Sequence, residues 1–367
     1  MSKDEEGQMS TLNELIHYCN EDDPIGALML TGEWGCGKTY LIQKELSKAL
    51  KDTHIIVRVS LFGMNSASTL RDAVRRKWFE ACMPLIDTLQ KAQKGGVFRA
   101  FSSMLYRVNP LAGGAAGVVV NADVEDFIPI KPEFEDLKTH EKKKVILVYD
   151  DLERAKMDFA EVLGVINDFC ENHRFNSIIS VNEESLRPEI EKDPTTYQLA
   201  KEKTISQVLY HIPDYNEVIS SILDKTNWQT PEYKEYLLAN EELIRQVFVP
   251  EKEAFNAKTL FRGDRKNRNF RTLKKALQSF YRIYANMEED GKEVTTSHLY
   301  SFLAYYLVAK GGLLKDGKPH LTFEDKDIQE FYPQYSPESM TDMERGWIVT
   351  GIWNKDSFLK EIADIKQ

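Results

Sequence analysis

The sequence predicts an α/β fold, a sheet of about five parallel strands with helices on both faces, followed by a helical lid and a small C-terminal region. Three observations carry that reading. An apolar strand passes through a glycine-rich loop into a helix at "ALMLTGEWGCGKTYLIQKELSKAL", residues 27–50. A second run, "KKVILVYDD", is apolar without interruption and ends in two acids. Further strand-like runs, "HIIVRVSLFG", "NSIISV" and "ISQVLYHIP", recur between helical stretches, as a parallel sheet with crossover helices requires.

The chain of 367 residues carries 48 basic and 58 acidic side chains, a net charge of −10, so its whole surface is not a nucleic-acid footprint. Cys19, Cys36, Cys82 and Cys170 are scattered, without a CxxC pair, and the start "MSKDEEGQ" is acidic, so the expected compartment is cytoplasmic. No stretch reaches the roughly 18 apolar residues of a membrane span, so no transmembrane segment is expected. The nearest, "NPLAGGAAGVVVNADV" at 109–124, reads as a buried turn or loop, with an interfacial contact as the second reading.

The first strand, 27–30, leads into "GEWGCGKT", which fits GxxxxGK[ST] with Gly32, Gly37, Lys38 and Thr39. Phosphate oxygens need several converging backbone N–H groups, which glycines allow by curling the chain, and the following helix adds a partial positive charge. The expected nucleotide contacts are Gly32, Glu33, Trp34, Gly35, Cys36, Gly37, Lys38, Thr39 and Tyr40. Lys38 would reach the β- and γ-phosphates and the Thr39 hydroxyl would ligate Mg²⁺. Trp34 is not required by phosphate chemistry; packing over the loop or against a neighbouring subdomain is its expected role.

The strand at 54–63 comes next, and residues 68–108 read as largely helical. The distance from Lys38 to Asp150 exceeds a minimal core, so an insertion is expected at about 85–140. The run Val145–Tyr149 then ends in Asp150 and Asp151, at the carboxyl edge where α/β sheets bind ligands. Asp150 is the candidate for the Mg²⁺ shell. Asp151 is the candidate that orients or deprotonates the attacking water, with Glu153 in reserve.

The fourth strand, 176–181, ends in Asn182, an amide that can sense a γ-phosphate and help hold the water. Before the fifth strand, Lys201 and Lys203 are either a solvated helix end or charges offered to a neighbour's nucleotide. In "LFRGDRKNRNFRTLKKALQSFYRIYAN", residues 260–286, Phe270, Leu273, Leu277, Phe280, Tyr281 and Tyr284 recur at helical spacing. Three readings of its basic face stay open: a solvated face, a sensor arginine at Arg268 or Arg271, and a nucleic-acid contact through 262–275. The tail at 290–367 has the helix "SHLYSFLAYYLVAKGG" and a polar connector or hairpin, "KDGKPHLTFEDKDI"; Trp347, Trp353, Tyr332 and Tyr335 read as closing a small core rather than as a partner surface.

These residues together resemble the KAP family of P-loop NTPases, relatives of the STAND and AAA+ ATPases. The resemblance rests on "GEWGCGKTYL", "VILVYDDLER", the Asn182 strand, "KEKTISQVLYHIP" and "NRNFRTLKKAL", and covers roughly residues 12–285. Trp34, two residues after the first loop glycine, is a feature of that family, as is the doubled acid followed by Leu, acid and Arg. Glu153 stands where the family usually has Asp, and the transmembrane helices that many members insert between the two motifs are not evident. The resemblance implies a P-loop NTPase core at 12–215 and a helical lid at 216–289, and leaves 290–367 as a C-terminal region of unassigned fold. It implies ATP as ligand, slow or activator-dependent hydrolysis, a homo-oligomer or a partner protein, and for several bacterial members a link to phage exclusion. No guanine-reading NKxD motif follows Asn182. The competing expectation is a nucleotide-dependent adaptor, or nucleic-acid-binding module, that hydrolyses little or nothing.

Overall fold

A computed structural model describes residues 3–90, 130–135, 141–249, 268–311, 313–315, 318–320 and 323–364. The glycine-rich stretch 109–124 lies outside the described residues, as do most of the expected insertion and residues 262–267 of the basic stretch. The chain divides into two compact units, one of Met1–Gly32 with Lys38–Ile212, the other of Glu33–Gly37 with Pro213–Gln367.

The first unit is built on a sheet whose parallel strands run in the order β2-β4-β5-β1-β6. These are β1 (Ala27–Thr31), β2 (His54–Ser60), β4 (Lys142–Asp150), β5 (Asn176–Val181) and β6 (Ile205–Tyr210). One short strand was not expected: β3 (Glu133–Glu135) pairs antiparallel with the start of β4, Glu133 opposite Lys144. Its sequence, Glu-Phe-Glu, is too short and polar to announce a strand by periodicity.

Both faces of the sheet are covered, which is why its strands read as apolar runs rather than alternating ones. Ala27, Met29, Val145, Leu147, Tyr149, Ile179 and Val181 pack on one side with Leu70, Val74 and Trp78 of the helix Ala67–Gln90 and Val162, Ile166 and Phe169 of Phe159–Glu171. Leu28, Leu30, Ile146, Val148 and Ile178 pack on the other with Leu41, Ile42, Leu46 and Leu50, and with Leu15, Tyr18 and Cys19 of the N-terminal helix Lys3–Asn20. Each fully buried Leu or Met contributes about 1.5–3 kcal/mol relative to exposure. Strand alternation then fixes the site: Asp150 follows Ile146 and Val148 on the face that carries the Lys38–Leu50 segment. That segment is not one regular helix, since Leu41–Leu46 forms a π turn between α-helical Lys38–Tyr40 and Ser47–Leu50.

The second unit is helical. Residues 216–289 and 290–367, read as separate regions in the sequence, share a single core that runs from Tyr215 to Ile362. The helix Phe270–Glu289 buries Phe270, Leu273, Leu277 and Phe280 of the stripe its periodicity predicts, and also Ala276, Ile283 and Met287, whereas Tyr281 and Tyr284 of that stripe are only partly buried. Thr296–Gly311 is buried on nearly every side, from His298 to Val308. The polar connector is a hairpin, β7 (Leu313–Lys315) with β8 (Lys318–His320). Trp347 and Trp353 pack against the core, with the Arg282 guanidinium 5.2 and 5.8 Å from their rings. No helix among the described residues is long and apolar enough to cross a membrane.

Candidate functional site

In the first unit, β1 delivers Thr31 and Gly32 to the loop, and the chain re-enters the unit at Lys38. Lys38 is buried, and its ammonium donates to the Gly32 carbonyl at 2.6 Å, so the cation lies against the start of its own loop. The Thr39 hydroxyl donates to Asp150 Oδ2 at 3.2 Å. The two residues assigned to the metal shell from separate sequence motifs therefore meet in space. Tyr40, next in the helix, is half exposed.

Asp150 is 5% exposed, and each of its carboxylate oxygens has a partner. Oδ1 accepts from the Asp151 backbone N–H at 3.1 Å. Oδ2 accepts from Thr39 and from two nitrogens of Arg58, Nε at 2.9 Å and Nη2 at 2.6 Å. Arg58 is the residue the sequence reading missed. The signal was present: a lone cation inside the apolar run "HIIVRVS", two residues before the strand end and in register with β4, where Ser60 pairs with Asp150.

Asp151 adopts a left-handed conformation, φ 61° and ψ 43°, which for a non-glycine residue is strained. A single 3₁₀ turn, Leu152–Arg154, follows it, and Arg154 lies 3.7 Å from the Asp151 carboxylate. The exit of β2 is stitched to this turn by Gly63 N–H to the Arg154 carbonyl, 3.0 Å, and Lys156 N–H to the Met64 carbonyl, 2.8 Å. Glu153 has a different employment: its Oε2 accepts the backbone N–H of Asn182 at 3.2 Å, tying the end of β5 to the turn after β4. Asn182 itself is buried. Glu183 accepts from Tyr197 and from Lys201, which forms an ion pair with it, so Lys201 is held within this unit; Lys203 is exposed.

In the second unit, loop residues Glu33–Gly37 accompany the helical core. Gly35 and Gly37 have φ of 73° and 102°, a region that glycine enters without the Cβ penalty. At Gly35 a side chain would also collide, since an added Cβ would stand 2.1 Å from Asn269 Oδ1. The Phe270 N–H donates to the Gly35 carbonyl at 3.3 Å, while Asn269 caps the helix Phe270–Glu289 through Arg271 N–H at 2.9 Å and Thr272 N–H at 3.3 Å. Residue 35 of the loop and the N-terminus of that helix are thus one packed element. Cys36 is buried, whereas Trp34, expected to pack, stays 48% exposed. Burial pushes the Tyr215 hydroxyl well above its ordinary range, Glu33 and Cys36 add to the shift, and the charge and hydrogen bond of Arg268 oppose it. Arg268 is partly buried and Arg271 is exposed.

The first unit holds a buried lysine, a hydroxyl beside a buried carboxylate, and a second carboxylate on the next residue in a left-handed conformation. Oxygen donors from Thr39 and Asp150 fit a hard divalent cation. A family model described as the KAP family P-loop domain matches residues 6–287. No curated protein matches the chain significantly. Among solved structures, Cdc6p from Pyrobaculum aerophilum is 14% identical at a TM-score of 0.38, over 89% of this chain and 78% of that one. The ORC2 protein of Aeropyrum pernix, solved as ADPNP–ADP complexes, is 13% identical at a TM-score of 0.38, over 99% and 85%. AMPPCP-bound DnaA from Aquifex aeolicus is 12% identical at a TM-score of 0.30, over 100% and 88%.

Proposed function

The chain belongs to the KAP family of P-loop NTPases, and from that premise we propose that it binds ATP with Mg²⁺, hydrolyses it, and uses its nucleotide state to switch conformation or assembly. The observation that carries the chemistry is the 3.2 Å hydrogen bond between Thr39 and Asp150, which joins the two nucleotide motifs at one point. In this reading the loop N–H groups and Lys38 hold the phosphates, and Thr39 and Asp150 hold the metal. Mg²⁺, when bound, neutralises charge on the phosphate oxygens.

Asp151 orients or deprotonates the attacking water. Two features support it over Glu153: its backbone strain, a feature that clusters at functional sites, and the engagement of Glu153 by Asn182. Asn182 reports the γ-phosphate, and Arg271 or Arg268 acts as the sensor arginine. The switch is supported by the Gly35 contacts. A phosphate gripped by loop residues Glu33–Gly37 acts on the same backbone that packs on Asn269 and Phe270, so ligand state can bias the start of the helix Phe270–Glu289. Such a bias can be no larger than the difference in ATP affinity between the two states. A homo-oligomeric, antiviral role is the reading that family resemblance favours.

Phosphate release with ATP and Mg²⁺, compared with Lys38→Ala, tests the reading, with solution mass measured with and without nucleotide. Turnover that disappears in the variant and a mass that depends on nucleotide are expected. ATP binding without release would favour the adaptor; no ATP binding would end both.

A further inference from the structure

Arg58 is the only lysine or arginine in β2, and alternation places it with Ile56 on the face covered by the Lys38–Leu50 segment. Both its Nε and Nη2 donate to Asp150 Oδ2, at 2.9 and 2.6 Å, and the same oxygen receives the Thr39 hydroxyl. The second oxygen is occupied by the Asp151 N–H. The acid assigned to the metal shell is therefore already balanced by a cation from its own chain.

A carboxylate has about four lone-pair positions, and at Asp150 the two charge-assisted bonds from Arg58, the Thr39 hydroxyl and the Asp151 N–H supply four donors. A divalent cation at Asp150 would compete with Arg58 for the same oxygen and would stand a few ångströms from a like charge. The two partners differ in freedom: the Asp150 side chain is 7% exposed and that of Arg58 is 37% exposed. A long, half-exposed arginine can move its head into water while its stem stays packed, whereas the buried carboxylate cannot leave. Asp150 thus exchanges one cation for another without being left as an unpaired buried charge, the costly alternative.

We propose that Arg58 is an internal counter-cation that competes with the divalent metal for Asp150, so that loading with metal and nucleotide releases Arg58 from the carboxylate. It is a positioning residue that sets metal affinity, and the inference rests on the metal-dependent reading above. A purely structural ion pair between adjacent strands would leave metal affinity unchanged when removed.

Mn²⁺ is the probe, titrated into the full chain with and without ADP while free Mn²⁺ is read by electron paramagnetic resonance. Arg58→Gln is expected to tighten Mn²⁺ binding on the order of tenfold, because it removes a like charge a few ångströms from the metal position. Arg58→Lys, which keeps the charge and loses the fork, should fall between wild type and Arg58→Gln. Unchanged or weaker Mn²⁺ binding in a normally folded Arg58→Gln protein overturns the inference. If that variant does not fold, Arg58→Lys decides by the same criterion, tighter binding supporting and equal or weaker binding overturning. Binding of a fluorescent ATP analogue in the presence of Mg²⁺ is measured in parallel. Its failure overturns the nucleotide reading alone, because the Mn²⁺ titration without ADP still judges Arg58.

Discussion

At the scale of single residues, the informative contrast is between neighbouring acids. Asp150 continues the alternation of β4 and is locked by hydrogen bonds, whereas Asp151 breaks out of the strand into a left-handed conformation. Such a conformation costs a non-glycine residue about 1 kcal/mol or more. Asp151→Gly should raise unfolding stability by about 1 kcal/mol, because glycine enters this region freely, while phosphate release falls on the order of a hundredfold. Denaturant midpoints and turnover on the same preparation check both halves. A variant that is stabilised and still turns over would move the water-activating role to Glu153. Lys38, Thr39 and Asp150 could be singled out as candidates in the sequence because phosphate and metal chemistry dictate a spacing and flanking strands, and the structure brings Thr39 and Asp150 together. Arg58 and the strain at Asp151 were not legible, since one charge in a strand has no period and backbone sign is not written in side-chain pattern. Gly35 was legible as a loop glycine, yet its second reason, the space taken by Asn269, depends on a contact 234 positions along the chain that only folding creates.

At the scale of elements, the helix Thr296–Gly311 shows what an apolar pattern hides. Its His298 Nε2 lies 2.6 Å from Glu344 Oε1, and Glu344 is wholly buried. The other carboxylate oxygen accepts the Thr341 N–H at 2.6 Å and hydroxyl at 3.0 Å, closing the capping box of the helix Asp342–Thr350. One acid thus caps one helix and satisfies a buried imidazole on another. Glu344→Ala leaves those donors without an acceptor and should destabilise the protein by about 3 kcal/mol or more, with Glu344→Gln intermediate; a loss under about 1 kcal/mol in urea unfolding would refute this account. The helix itself was readable from its run of apolar residues, but His298 carried no metal-like spacing and its partner could not be foreseen. Hairpin β7–β8 was one of two readings of its polar stretch, the other being a plain connector, whereas β3 was missed because three residues define no pattern.

At the scale of the whole molecule, charge and burial pull stability in opposite directions as pH falls. The chain carries a net charge of −10 at neutrality and an isoelectric point near 5.4, so acidification toward that point relieves self-repulsion. Against this stands His54, buried between the Cys19 carbonyl at 3.0 Å and the Thr53 hydroxyl at 2.8 Å. Burial, with the nearby Lys144 charge, holds its pKa below the ordinary 6.5, although the Cys19 carbonyl opposes the shift. The unfolded chain therefore binds a proton near pH 6.5 that the folded chain refuses. Stability is lost as pH drops from about 6.5 to the depressed native value and then levels off, with a slope of no more than about 1.4 kcal/mol per pH unit. His54→Gln keeps a donor for the Cys19 carbonyl and removes the titration. Urea midpoints at pH 7.5 and 5.5 should converge in the variant relative to wild type, because only the variant keeps the relief of self-repulsion without the proton penalty. Equal acid losses in the two proteins would mean that His54 is protonated in the fold, and that the lysine and the strand end around it tolerate the charge.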